Sequence, residues 1–120
     1  MARPSTQPYI EPAVKRFAER LQQDLRAERV LLFGSRARGE QKWDSDYDFI
    51  VVASAFEQTH RLDRGIGLYQ LWYGSGGHGP TDLICMTPEE FDWAASHITL
   101  VNAVLPEAID LLPVAVSGES

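Results

Sequence analysis

The sequence predicts an α/β (α+β) fold, in which helices pack on a small mixed β-sheet. Its 120 residues match the usual size of one hydrophobic core. Three short apolar runs, at residues 29–33, 48–53 and 81–86, have the length and composition of buried strands. Around them, apolar residues recur at spacings of three and four, which is typical of amphipathic helices. Strands interleaved with helices in this way favour a sheet covered by helices.

The first half of the chain begins with a predicted helix. Apolar residues recur at helical spacing over residues 11–27, and Pro12 is acceptable in the first turn of a helix. Arg29–Phe33 predicts a buried strand, because its apolar run stops at Gly34. A polar loop then leads to the second predicted strand, Asp48–Ala53.

The middle of the chain predicts a second long helix followed by a strand. Residues 55–73 carry apolar side chains at helical spacing, although Gly65 and Gly67 each disfavour a helix interior by up to ~1 kcal/mol relative to Ala. A glycine-rich loop follows, and Thr81–Met86 predicts the third strand. Its Cys85 is expected to be a small buried residue, as free cysteines usually are.

The C-terminal part predicts two short helices and a last strand. Thr87 suits an N-cap, Pro88 the first helical position and Glu90 the third, which together make a capping box. A further helix is expected over residues 99–105 and a strand over residues 108–112.

Both ends of the chain are expected to be disordered tails. Residues 1–10 and 114–120 are rich in Pro, Ser and Gly, which leaves residues 11–113 as one domain.

The composition narrows the classes of function. The formal net charge is −6, with 17 acidic against 11 basic residues, so a direct grip on duplex nucleic acid is not expected. An acidic surface would suit docking on a basic partner. A single cysteine excludes an intramolecular disulfide and a cysteine-based metal cluster. The sequence also lacks a signal peptide and a membrane-length apolar run, so a cytoplasmic location is expected.

A glycine-serine pair marks a candidate phosphate site. Gly34 lies where the first strand must turn into a short helix, and glycine permits positive φ and close approach of a ligand. Ser35 opens that helix, whose first N–H groups and dipole favour a phosphate. Arg36 and Arg38 could neutralise a triphosphate, but residues two apart do not share a helix face. We therefore expect one of them, with either possible, to contact phosphate.

Three acidic residues mark a candidate metal site. Asp46 and Asp48 stand two apart at the start of a strand, so alternation puts both carboxylates on one face. Close carboxylates favour a hard divalent cation, and Mg²⁺ combines few carboxylates with substrate phosphates. Asp82, on another strand, would complete a two-metal site if that strand is adjacent.

These residues carry a family resemblance. The segment GSRARGEQKWDSDYDFIVV, with TDLICM downstream, resembles the minimal nucleotidyltransferases of the DNA polymerase β-like superfamily. Their pattern is Gly-Ser, a spacer, Asp-x-Asp on the next strand and a third acid on a later strand. The resemblance runs from about residue 29 to residue 112 and implies a polymerase β-like nucleotidyltransferase fold. It makes Gly34 and Ser35 the phosphate-binding turn, Asp46 and Asp48 metal ligands, and Asp82 a third ligand that could also accept the nucleophile's proton.

The resemblance also implies a reaction and partners. The reaction would be Mg²⁺-dependent transfer of a nucleoside monophosphate, AMP from ATP, to an acceptor hydroxyl. Minimal members of this family are often paired with a HEPN-domain toxin, whose tyrosine would be the acceptor in an antitoxin role. Because the chain has no room for an acceptor-binding domain, the acceptor must be held by such a partner or by a second copy. Two alternatives stay open: transfer to a small molecule such as an aminoglycoside, and a non-catalytic antitoxin that acts by binding.

Overall fold

A four-stranded mixed sheet forms the centre of the protein. The computed structural model describes residues 10–42 and 45–112. The strands lie in the order β3-β2-β1-β4, and their bounds are β1 Arg29–Phe33, β2 Tyr47–Val52, β3 Thr81–Met86 and β4 Ile109–Asp110. The predicted fold class is confirmed, as are β1 and β3 at the expected residues. β2 begins and ends one residue earlier than expected, and β4 is shorter.

The strands are joined in two ways. β1 is antiparallel to β2 and to β4, whereas β2 and β3 are parallel. A parallel pair requires a crossover connection, and residues 53–80 supply it here. Tyr47 and Thr81, the first residues of β2 and β3, therefore lie side by side at the same end of the sheet.

Five α-helices lie around the sheet in the part of the chain that the structure describes. They are α1 Pro12–Leu25, α2 Ser35–Arg38, α3 Leu68–Gly74, α4 Pro88–Ala95 and α5 Leu100–Val104. The capping box at the start of α4 is confirmed: Thr87 Oγ1 accepts from the Glu90 N–H and the Glu90 carboxylate accepts from the Thr87 N–H. None of the helices in the described ranges is long and apolar enough to cross a membrane.

The prediction of one long helix over residues 55–73 is wrong. Two 3₁₀ turns, Ser54–Gln58 and Arg61–Asp63, precede the short α3. Gly67 adopts φ +91°, which a helix cannot contain, so the helix starts only at the next residue. Phe56, Leu68 and Trp72 of the predicted apolar face are buried, but Leu62 is 83% exposed, so the apolar spacing holds only in part.

Apolar side chains pack on both faces of the sheet. On the first face, Phe17 of α1 and Trp72 of α3 contact Phe49 of β2 edge to face. On the second face, Phe91 and Val101 of the C-terminal helices join residues of β1 and β2 such as Ile50. Strand alternation thus divides β2 between the two layers.

Some expectations concern residues outside the described ranges. The predicted tails fall almost entirely at residues 1–9 and 113–120, and Trp43 and Asp44 of the polar loop also lie outside.

Candidate active site

Three strand ends meet beside Asp48. Because β1 is antiparallel to β2, its last residue Phe33 pairs with Asp48 near the start of β2. The parallel β3 pairs on the other side and places Asp82 directly opposite Asp48. The turn after β1, Asp48 and Asp82 are therefore neighbours across three strands, although they lie far apart in sequence.

The Gly34 turn packs directly against the Asp48 carboxylate. Gly34 has φ +81° and ψ −160°, a conformation open essentially only to glycine. A Cβ on Gly34 would lie 2.5 Å from Asp48 Oδ2. The glycine therefore supplies both the turn into α2 and the space that the carboxylate occupies.

The carboxylates of this site interact with one another. Asp48 is half-buried, whereas Asp46 and Asp82 are exposed. Burial raises the pKa of Asp48, and the negative charges of Asp82 and Asp46 raise that pKa further, as does a hydrogen bond between the Asp48 and Asp82 carboxyls. Asp46, which the structure places one residue before β2, is thus close enough to act on Asp48. A positive charge placed among these groups would relieve the repulsion.

The carboxylates suit a divalent cation that brings other ligands with it. Among the described residues, no three carboxylate, imidazole or thiol groups are close enough to form a complete metal cluster. The structure does place two of the predicted ligands, Asp48 and Asp82, directly opposite each other on β2 and β3. Mg²⁺ is usually bound through one or two carboxylates together with waters and substrate phosphates, which fits this donor pair.

A groove continues from the carboxylates along the second face of the sheet. Asp82, Ile84 and Met86 alternate onto the face that carries α4 and α5, as does Asp48. Ile84, Met86 and the exposed Trp93 line a groove of about 840 Å³ between β3 and those helices. The groove thus begins within two residues of Asp82.

The two candidate phosphate ligands differ in their surroundings. Arg36 is buried, and its guanidinium donates to the Ser45 carbonyl and to Glu11. Arg38 is exposed and forms ion pairs with Glu40 and Glu107 at the surface. Exposed pairs of this kind are weak and exchange readily, so Arg38 is the arginine that remains available to a ligand.

Sequence reasoning missed a buried polar cluster next to the site. Glu11, Arg36 and Tyr47 contact one another beneath the loop that leads to Asp46. Strand alternation could have indicated that Tyr47, between two aspartates, points to the opposite, buried face. Nothing in the local sequence indicated Glu11, which lies at the start of α1.

The sequence of this chain matches a known domain family. A family model described as "nucleotidyltransferase domain" matches residues 14–115. The chain belongs to this family. Nucleotidyltransferase domains generally use a nucleoside triphosphate and a divalent metal, which agrees with the donors described above.

Solved structures share the fold of this nucleotidyltransferase domain. A candidate nucleotidyltransferase from Sulfolobus solfataricus is 23% identical, with a TM-score of 0.56, and the match covers 82% of this chain and 75% of that one. BolA1 from Arabidopsis thaliana is 22% identical, with a TM-score of 0.53, over 68% of this chain and 98% of that one. No curated protein matches the chain significantly. At these identities the structural likeness describes the fold alone.

Proposed function

We propose that this nucleotidyltransferase domain transfers AMP from ATP, with Mg²⁺, to a hydroxyl group of a partner protein. One observation carries the proposal: Asp48 lies between Asp82 and the Gly34 turn, with a carboxylate oxygen filling the space that a Cβ at Gly34 would need. The turn that would bind the phosphates therefore lies next to the carboxylates that would hold the metal, as transfer from a triphosphate requires.

The residues of the site would divide two tasks. Asp46 and Asp48, with Asp82, would hold the metal, while Gly34, Ser35 and Arg38 would bind the phosphates. Mg²⁺ bound there would neutralise phosphate charge and lower the pKa of the attacking hydroxyl. The chain's own contribution is to hold these groups rigidly, since β2 is hydrogen-bonded to β1 on one side and to β3 on the other at the site.

Asp82 is best placed to accept the proton of the nucleophile. It is exposed, lies on the edge strand β3 and pairs across the sheet with the less accessible Asp48. The acceptor oxygen would form a bond to the α-phosphorus, the bond from that phosphorus to the bridging oxygen would break, and pyrophosphate would leave. The hydroxyl proton would pass to Asp82 or, through it, to solvent.

The character of the groove favours a protein acceptor. Its lining is mostly apolar, with Ile84, Met86, Trp93 and Leu100, and it also includes the charged residues Arg61, Glu89 and Glu90. Apolar side chains suit a protein segment that presents a tyrosine, whereas a polycation such as an aminoglycoside would gain little from them. A partner of the HEPN class, proposed from the family resemblance, would supply that segment, and the acidic net charge of −6 suits a basic ribonuclease.

The direct test is transfer of radiolabel from α-labelled ATP. The full chain, purified with the proteins that co-purify with it, would be incubated with Mg²⁺ or with EDTA. We expect label on a partner protein with Mg²⁺ and none with EDTA. Label on an added aminoglycoside would favour the small-molecule alternative. A tight complex that stays unlabelled would favour the non-catalytic binding module.

The site assignment is tested by Asp48→Asn. The exchange keeps the shape of the side chain but removes the charge that holds the metal, so transfer should fall by at least about 10³-fold while the melting temperature stays within a few degrees. Asp24→Asn is the matched control, since Asp24 is an exposed surface residue of α1 paired with Arg20. Wild-type turnover in the Asp48 variant would refute the metal site.

A further inference from the structure

Arg36 stands out among the charged residues because it is buried next to the candidate site. Its side chain is 8% exposed, and a buried guanidinium must be paired and hydrogen-bonded to be tolerated. The sequence left open whether Arg36 or Arg38 contacts phosphate. In the structure, the Nε, Nη1 and Nη2 atoms of Arg36 each donate to a group within the chain.

The guanidinium holds the peptide that precedes Asp46. Arg36 Nε and Nη2 both donate to the carbonyl oxygen of Ser45, at 3.1 and 2.9 Å. This carbonyl belongs to the peptide bond between Ser45 and Asp46, so the forked contact anchors that peptide at its oxygen. Arginine forms such forked contacts through its planar, rigid donor set.

The residue that follows Asp46 is held by the same guanidinium. The Arg36 guanidinium carbon lies 3.8 Å from the centre of the Tyr47 ring, as in a cation–π contact. The Tyr47 N–H donates to the carbonyl of Pro80, just before β3. Arg36 therefore contacts both the residue before Asp46 and the residue after it.

Glu11 closes the cluster from α1. Its Oε2 accepts from Arg36 Nη1 at 3.0 Å, and its Oε1 accepts from the Tyr47 hydroxyl at 2.7 Å. Because one carboxylate serves both partners, it sets the orientation of the arginine and of the tyrosine together. Since these groups share partners, loss of one of them also weakens the contacts of the others.

We infer that Arg36 is a positioning residue: with Glu11 and Tyr47 it fixes the Ser45–Asp46 peptide, so that the Asp46 carboxylate is held beside Asp48 and Asp82 for metal binding. This rests on the proposed function, because it assigns a purpose to Asp46. The cluster lies on the first face of the sheet and the carboxylates on the second. It therefore acts through the backbone and does not touch the phosphates.

The test uses Mn²⁺ as the probe, followed by electron paramagnetic resonance. Binding of Mn²⁺ to the full chain with a non-hydrolysable ATP analogue would be measured for Arg36→Lys, Glu11→Gln and Tyr47→Phe. Loss of such outer supports usually lowers metal affinity or activity by about 10- to 100-fold. We expect the Mn²⁺ dissociation constant to rise about 10-fold in Arg36→Lys and in Glu11→Gln. Tyr47→Phe keeps the ring under the guanidinium and should have a smaller effect.

Two further measurements separate positioning from other roles. With metal at saturation, the KM for ATP should stay within about 2-fold of the wild type in Arg36→Lys, because the side chain makes no phosphate contact. The Arg36→Lys/Glu11→Gln double variant should be little worse than either single variant, because both changes break one cluster. Arg20→Lys, at an exposed ion pair of α1, is the control and should match the wild type.

Several outcomes would overturn the inference. A raised KM for ATP in Arg36→Lys, with Glu11→Gln unaffected, would return Arg36 to a phosphate-binding role. Lower melting temperatures with unchanged Mn²⁺ affinity would make the cluster purely structural. Asp48→Asn in the same titration separates the two proposals: if it binds Mn²⁺ normally, the proposed metal site itself fails. If it loses Mn²⁺ while the cluster variants keep it, only the positioning role fails.

Discussion

Replacement of Gly34 by alanine tests the contact between the turn and the Asp48 carboxylate. The new Cβ would lie 2.5 Å from Asp48 Oδ2, whereas a carbon and an oxygen in contact are usually about 3.3 Å apart or more. The carboxylate must therefore move by nearly 1 Å, and a displacement of this size in a catalytic site costs roughly 10²-fold in rate. The backbone conformation of Gly34 adds strain of about 1–3 kcal/mol for any other residue.

The assay compares transfer of labelled AMP with thermal unfolding. For Gly34→Ala we expect kcat to fall about 10²-fold and the melting temperature to fall by roughly 5–15 °C. Gly39→Ala is the matched control, since Gly39 also has positive φ, at +75°, but no atom lies within 4 Å of its added Cβ. It should lose stability and keep its kcat. If both variants kept wild-type kcat, the argument that Gly34 makes room for the Asp48 carboxylate would be refuted.

Two further predictions concern Glu90 and Cys85, which line the groove next to the carboxylates. The ion pair with Arg64, at 2.6 Å, lowers the pKa of Glu90 to about 2 from 4.5. Its ionised form therefore stabilises the fold above about pH 4.5, and this contribution is lost as the pH falls toward 2. Glu90→Gln should cost about 1–2 kcal/mol in urea unfolding at pH 7 and little at pH 2; an equal cost at both pH values would contradict this account. Burial raises the pKa of the Cys85 thiol to about 11, so a disulfide reagent at pH 8 should modify it far more slowly in the native protein than in urea. Cys85 is half-buried and not fully buried as expected, and equal rates in the two states would contradict the partial shielding of its thiol.

The strands and the glycine turn could be predicted because they depend on neighbours in sequence. A short apolar run such as residues 30–33 favours a strand between two covered faces, and β1 has the predicted bounds, Arg29–Phe33. The start of α4 could also be predicted from the local sequence, because Thr87 and Glu90 form a capping box within one turn. The wrong prediction of a helix over residues 55–73 also has a local cause near its end. Gly67 adopts a positive φ, so α3 begins only at Leu68.

The sequence by itself determined which residues have the chemistry of a nucleotidyltransferase site: a glycine-serine turn, Asp46 and Asp48 two residues apart, and an acid on a later strand. The tertiary structure determines which of these residues lie close together. The pairing of Asp82 with Asp48 depends on the parallel register of β2 and β3, which no local pattern specifies. The partner of Arg36 was likewise undetermined, because Glu11 is one of 17 acidic residues and only the packing of α1 brings it to the guanidinium. Side-chain type follows from the sequence, but the choice of a partner for a buried charge depends on which distant elements the hydrophobic core brings together.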